Sequence, residues 1–237
     1  MTKRVYEYNS KVQLTKNINV KEIRCKGAVQ HSTVVANNHP QKVQNFMDCY
    51  GYTKISISSG YRCKAHDKKV GGSGKGQHTK GTAMDVKFYK DNKAVSSEIV
   101  CCNAQDFGFK GIAYITPAYT HLDSRSVGTY RGDERKGRSN NVGGDFYKYF
   151  NRPTNQLYVG LFPTLPIRGY FKKGDSGLEV MKLQCFLNWS IGAKLTVDGI
   201  LGKGSEKAVK KFQTKVGIKA DGLFGKASLA KAKTYRK

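Results

Sequence analysis

The chain has 237 residues and a formal net charge of +25, from 42 Lys/Arg against 17 Asp/Glu. Hydrophobic residues make up 38 % of it, enough for a buried core. These values exclude a disordered chain, and no apolar run approaches the roughly 20 residues of a transmembrane helix.

The length allows one large or two modest domains. Residues 1–150 carry 25 Lys/Arg and 12 Asp/Glu (+13), and residues 151–237 carry 17 and 5 (+12). A field spread so evenly favours polyanions, either nucleic acid or the teichoic acids and peptidoglycan carboxylates of a Gram-positive wall. No paired Cys/His finger spacing and no aromatic RNA-binding signature is present, so no specific nucleic-acid partner is predicted. The opening MTKRVYEYNSKVQL lacks an apolar h-region and does not read as a secretory signal. The six cysteines form no C-x-x-C pair, and free thiols of a reducing cytoplasm are expected.

Residues 1–30 read as a lead-in. In NNHPQKVQNFMDCYG, Pro40 suits a first helical turn, Val43, Phe46, Met47 and Tyr50 recur at helical spacing, and Gly51 marks the stop. Residues 54–58 alternate as a strand that delivers the chain to Gly60 and Arg62. Gly71, Gly72, Gly74 and Gly76 form a permissive loop before His78. Residues 82–88 predict a strand with Met84, Val86 and Phe88 on one face and Ala83 and Asp85 on the other. A helix is expected over residues 96–107 and a strand over 111–114. His121, Leu122 and Asp123 then read as a strand that sets His121 and Asp123 on one face. His31, His39 and His66 read as structural or surface residues.

Residues 124–150, rich in Gly, Arg and Asn, predict a loop and a short closing segment, with Arg131, Arg135, Lys136 and Arg138 as a solvated charge run. The three prolines of NRPTNQLYVGLFPTLPIR (151–168) predict a semi-rigid linker. Beyond it, DGILGKGSEKAV (198–209) and DGLFGKASLAKA (221–232) repeat at an offset of 23. With Val180, Leu183 and Leu187 on one helical face and Ala208, Val209, Phe212 and Val216 on another, they predict one small three-helix core.

His78, Asp85 and His121 are candidate ligands of one zinc ion. Two imidazoles and a carboxylate hold the metal and leave a fourth position for water, as hydrolytic zinc sites do. The plainer alternative is surface residues or a hydrogen-bonded core pair. Cys63 next to Arg62 is a weaker candidate, because a nucleophilic thiol needs an imidazole and zinc already accounts for the histidines.

The order S-G-Y-R (Ser59, Gly60, Tyr61, Arg62), G-G (Gly71, Gly72), H-x-x-G-x-A-x-D (His78, Gly81, Ala83, Asp85) and H-x-D-x-R (His121, Asp123, Arg125) resembles the VanY-like zinc D-Ala-D-Ala carboxypeptidases and L-Ala–D-Glu endopeptidases, whose fold is shared by the hedgehog signalling domain. The resemblance covers about the first 150 residues, on the scale of one domain. It implies an α+β fold with a small antiparallel sheet and flanking helices. It also implies a cleft position for Arg62, which would stabilise an oxyanion or grip a substrate carboxylate. Asp123 would be either the general base or the partner that orients a zinc ligand. Two positions depart from the family. Ala118 stands where many members carry an acid three residues before the last zinc histidine, and Gly76 stands where a serine is usual.

The C-terminal part resembles a peptidoglycan-binding domain through Gly174, Asp175, Gly177, Val180, Leu183, Gln184, Leu187, Asp198, Gly199, Gly202, Ala208, Val209, Phe212, Gln213, Asp221, Gly222 and Gly225. The expected layout is a catalytic domain at 1–150, a linker at 151–168 and a binding domain at 169–237. The two resemblances together imply a phage-type endolysin, made in the host cytoplasm without a signal peptide, that cleaves the L-Ala–D-Glu bond of a Gram-positive wall after release. The alternatives are a D-Ala-D-Ala carboxypeptidase and a non-catalytic wall-binding protein with a structural zinc.

Overall fold

The structure, a computed structural model, describes residues 2–36, 38–135, 140–153 and 155–237. Lys136 and Arg138 of the basic run lie outside the described residues. The chain divides into two compact units, one of Met1–Asp48, Tyr52–Gln105 and Phe109–Phe150, the other of Cys49–Gly51, Asp106–Gly108 and Asn151–Lys237.

In the first unit the lead-in is more ordered than its sequence promises. It holds β1 (Lys3–Tyr6), β2 (Gln13–Thr15), β3 (Ile18–Asn19), the short helix α1 (Val20–Ile23) and β4 (Thr33–Ala36). Asn19 caps α1 in a reciprocal box with Glu22, and β1 pairs antiparallel with β4. Next come α2 (His39–Tyr50), β5 (Lys54–Ser59), α3 (Lys64–Lys69), β6 (Ala83–Lys90), β7 (Lys93–Ala94) and α4 (Ser97–Phe107). The unit closes with β8 (Gly111–Tyr114), β9 (Thr120–Asp123), β10 (Tyr130–Asp133), β11 (Asn140–Asn141) and α5 (Phe146–Tyr149).

The main sheet runs β11–β10–β8–β9–β6–β5, with β7 paired to β6. Every pairing in it is antiparallel except β8 with β10, which is parallel. The helical stripe of α2 buries Val43, Phe46, Met47 and Tyr50, as its spacing predicts. Phe46 is the hub of the core, edge-on to Phe88, Phe109 and Tyr52 with centroids 5.5 Å away in each case. Each such fully buried ring contributes about 2–3 kcal/mol.

Residues 124–150 are not simply a loop, because β10 joins the main sheet. Arg131, expected in a solvated run, is buried. Its guanidinium donates to the carbonyls of Phe109 (2.8 Å), Lys110 (2.7 Å) and Tyr130 (3.0 Å). Carbonyls in a fork replace water around the planar cation, and that makes its burial tolerable. Arg135 stays exposed and binds Asp133.

The second unit contains β12 (Tyr170–Phe171), α6 (Leu178–Ile191), α7 (Lys203–Lys215), β13 (Phe224–Gly225) and α8 (Lys226–Thr234). Phe186 meets Phe212 at 5.0 Å and Phe224 at 6.3 Å in its core. The doubled D-G is built twice in the same way. Gln184 Nε2 donates to Asp198 Oδ1 (2.8 Å), the Ile200 carbonyl (3.1 Å) and Ser205 Oγ (3.3 Å), and Gln184 Oε1 accepts from Gly199 N (2.9 Å). Gln213 repeats this with Asp221 (2.9 Å), Leu223 (2.9 Å), Ser228 (3.1 Å) and Gly222 N (2.9 Å). Gly199 and Gly222 have φ of 75° and 81°, which only glycine adopts cheaply. The stretch expected to be a linker is tied into this unit. Tyr158 is buried against Phe162, Phe186 and Trp189, and Gln156 and Lys237 exchange backbone hydrogen bonds of 2.9 and 3.0 Å.

Candidate metal centre

Register brings the predicted residues together. β6 pairs with β9 so that Asp85 lies opposite His121 and Ala83 opposite Asp123. β8 sets Ala113 opposite His121 and Gly111 opposite Asp123 on the other side. Small residues therefore flank both functional side chains. A β-carbon at Gly111 would fall inside the Asp123 carboxylate.

His78 arrives from a different element, a single 3-10 turn (His78–Lys80) after the glycine loop. Asp67 closes that loop, accepting from Gly74 N at 2.9 Å, and the close approach of its carboxylate leaves no room for a side chain at Gly72. Gly81, with φ of 69°, ends the turn where a β-carbon would overlap the Val34 carbonyl.

Three donor atoms converge. His78 Nε2 lies 3.2 Å from both His121 Nδ1 and Asp85 Oδ1, and His121 Nδ1 lies 2.9 Å from Asp85 Oδ1. All three residues are buried. The far nitrogen of each ring is already committed. His78 Nδ1–H donates to the Gly60 carbonyl (2.7 Å), and His121 Nε2–H donates to Asp123 Oδ2 (3.1 Å). These bonds fix the ring orientations and turn the other nitrogens, His78 Nε2 and His121 Nδ1, toward Asp85 Oδ1, as the outer partners of metal-binding histidines do. Gly60 itself packs so tightly on Ile23 that no side chain fits there.

The electrostatics favour a cation at this point. Burial pushes the Asp85 carboxyl up, but hydrogen bonds from His121 and His78 outweigh it and hold it well below the usual carboxylate range. Burial likewise pushes His121 down, yet Asp123 and Asp85 together bring it up to about 10. His78, Asp85 and His121 thus form a donor set that a divalent ion can share, and the N,N,O chemistry suits zinc.

Arg62, predicted at the cleft, donates to Asp85 Oδ2 (2.8 Å) and Ser59 Oγ (2.7 Å) and pairs with Asp67 at 3.5 Å. Its side chain is 21 % exposed, so it still reaches solvent. Beside it lies a cavity of about 280 Å³, lined by Arg24, Lys26, Tyr61, Arg62 and Asp85 among others. Asp123 is fully buried. Besides His121, its oxygens accept from Arg125 N (3.0 Å), Nε (2.9 Å) and Nη2 (2.5 Å).

Sequence reasoning placed Gly60 in the S-G-Y-R motif but gave it no role; its contribution is a backbone carbonyl, which has no side-chain signal. The same reasoning missed Asp67, a carboxylate in a polar stretch with no periodic context. His39 proves fully buried; its Nδ1 meets Ser124 Oγ at 2.7 Å, and burial pushes its pKa down to about 3, so it is neutral at pH 7.

The family model for Peptidase M15 matches residues 15–123, which contain all three donors. The peptidoglycan binding domain model matches residues 176–231. No curated protein and no solved structure matches the chain. Residues 15–123 are thus similar to the M15 peptidases and residues 176–231 to peptidoglycan-binding domains, a combination that fits a cell-wall peptidase.

Proposed function

We propose that this chain is a zinc-dependent peptidoglycan peptidase of the endolysin type, cutting the L-Ala–D-Glu bond of the stem peptide in a Gram-positive wall. The observation that carries this reading is the convergence of His78 Nε2, His121 Nδ1 and Asp85 Oδ1 within hydrogen-bonding distance of one another, next to a basic cleft. His78, Asp85 and His121 would hold the ion. The chemistry that zinc supplies at such a site is Lewis acidity toward a carbonyl oxygen and toward water.

The residues around it have separable tasks. The Gly60 carbonyl and Asp123 hold the two imidazoles in one orientation. Of the two roles open to Asp123, its burial and its full set of donors favour orientation over proton transfer. Arg62 steadies Asp85 and presents the rest of its guanidinium to the cleft, where it meets a substrate carboxylate or a developing oxyanion. Arg24, Lys26 and Arg62 give the cleft a positive lining, suited to a stem peptide that carries carboxylates. That lining also favours a second reading, a D-Ala-D-Ala carboxypeptidase gripping a terminal carboxylate. The C-terminal domain keeps the enzyme on its insoluble substrate and raises its local concentration. In this reading the protein is made in a host cytoplasm and meets the wall after release.

The test is end-group analysis of purified Gram-positive sacculi incubated with chelated and with zinc-reloaded protein. New amino termini on D-Glu in the zinc arm alone support the endopeptidase, and free D-Ala moves the assignment to the carboxypeptidase. No new end group with zinc-reloaded protein removes the proposal.

A further inference from the structure

A second cluster of soft donors lies outside the first. Cys25, His31 and Cys63 each offer one ligand atom, and these atoms all lie within 4.8 Å of one another. Cys25 is buried, and the other two are half-buried. The three come from two separate stretches of chain, so only the fold brings them together.

Each donor is prepared for a ligand. Cys25 Sγ accepts from Cys63 N (3.4 Å), and Cys63 Sγ accepts from His66 N (3.3 Å). His31 Nδ1–H donates to the Ser32 carbonyl (3.4 Å). That leaves His31 Nε2 with a lone pair, and this atom is buried without any hydrogen-bond partner. A buried, unpartnered imidazole nitrogen carries a desolvation penalty unless something binds it.

We propose that Cys25, Cys63 and His31 bind a second zinc ion, structural rather than catalytic. Two thiolates and an imidazole select a soft or borderline metal, and closed sites of this composition are structural. His66, three residues after Cys63, has its ring beside Gly27 but its nitrogens outside the converging set, so its side chain would have to turn to supply the fourth ligand. On binding, the two thiols give their protons to solvent and no redox change occurs. The ion would clip the segment after α1 to the turn Tyr61–Arg62–Cys63, and so fix the backbone from which Arg62 reaches Asp85.

The test uses the full chain, isolated under reducing conditions, with metal content and cobalt substitution as readouts. The expected result is about two zinc ions per chain in the parent protein and about one in His78→Ala. Cobalt-loaded His78→Ala should still show sulfur-to-cobalt charge-transfer absorption, which a site of nitrogen and oxygen ligands lacks. Cys63→Ser should lose that band and keep about one ion. Serine also serves as the cap of α3, which guards the fold, and the His78→Ala arm needs no cysteine change. A single ion lost entirely in His78→Ala would overturn the proposal, as would cobalt spectra without the sulfur band. So would a Cys25–Cys63 disulfide found by mass spectrometry of freshly isolated protein. None of these results would count against the first site.

Discussion

Asp123 shows how much of the centre lies one bond beyond its ligands. The carboxylate touches His121 on one side and Arg125 on the other, and its burial leaves it no route to bulk water. Asparagine keeps an acceptor for His121 Nε2–H, whereas alanine removes it. Asp123→Asn should therefore lower zinc affinity and wall cleavage by about 10-fold, and Asp123→Ala by about 100-fold. Competition with a zinc-sensitive dye and a cleavage assay measure the two effects. If Asp123→Asn abolished cleavage while binding zinc normally, the carboxylate would be the base after all. At this scale the sequence is legible where side chains carry the chemistry. His78, Asp85 and His121 announce themselves by type and spacing. The Gly60 carbonyl does not, because any residue has one and only the packing on Ile23 explains the glycine.

Among the elements, the strands and helices with clean periods are those the sequence predicts. Residues 82–88 alternate and become β6, and the Val43, Phe46, Met47 and Tyr50 stripe becomes α2. β10 escapes notice because GTYRGD has too little apolar alternation, and its pairing with β8 is a tertiary fact. That strand ends in a testable ion pair. Asp133 is held down at about 2 from an ordinary 3.8, first by the Arg135 hydrogen bond and then, against some desolvation, by Tyr149. A lowered carboxylate pKa stabilises the fold above the unfolded value and ceases to do so as pH falls through the folded one. Parent protein should exceed Asp133→Asn in stability by roughly 1 kcal/mol near neutrality, after discounting for solvent screening, and the gap should close between about pH 4 and pH 2. Unfolding curves taken across that range would show it, and a gap independent of pH would mean that the pair contributes nothing through charge.

The doubled D-G-x-x-G has a structural origin at the same scale. Gln184 and Gln213 each satisfy a turn with both ends of one buried amide, so the motif marks a glutamine-locked corner. Gln213→Ala leaves Gly222 N and the Asp221 turn without partners and should destabilise the second unit by about 2 kcal/mol, as read by calorimetry. A change below roughly 0.5 kcal/mol would mean that water replaces the amide freely.

Across the whole molecule, charge and the two domains point to one insoluble polyanionic substrate. The excess of 42 Lys/Arg over 17 Asp/Glu is divided almost evenly between the two parts of the sequence, so attraction to the wall does not depend on one patch. Among the described residues no helix is long and apolar enough to cross a membrane. Pull-down with sacculi should weaken as salt rises from about 50 mM to 500 mM, because the Debye length shrinks from about 14 Å to 4 Å. Stripping teichoic acid should remove most of that salt dependence while binding to bare peptidoglycan persists. Binding that vanished with the teichoic acid would move recognition away from peptidoglycan. Such preferences are legible in composition alone, whereas the scissile bond depends on a cleft built from Arg24, Lys26, Tyr61 and Arg62, residues that only the fold assembles.

The most direct measurement is mass spectrometry of muropeptides released from purified Gram-positive sacculi by zinc-reloaded parent protein and by His78→Ala. The account predicts stem peptides cut between L-Ala and D-Glu with the parent and intact stems with the variant. Intact stems with both proteins, or equal cleavage by both, would contradict it.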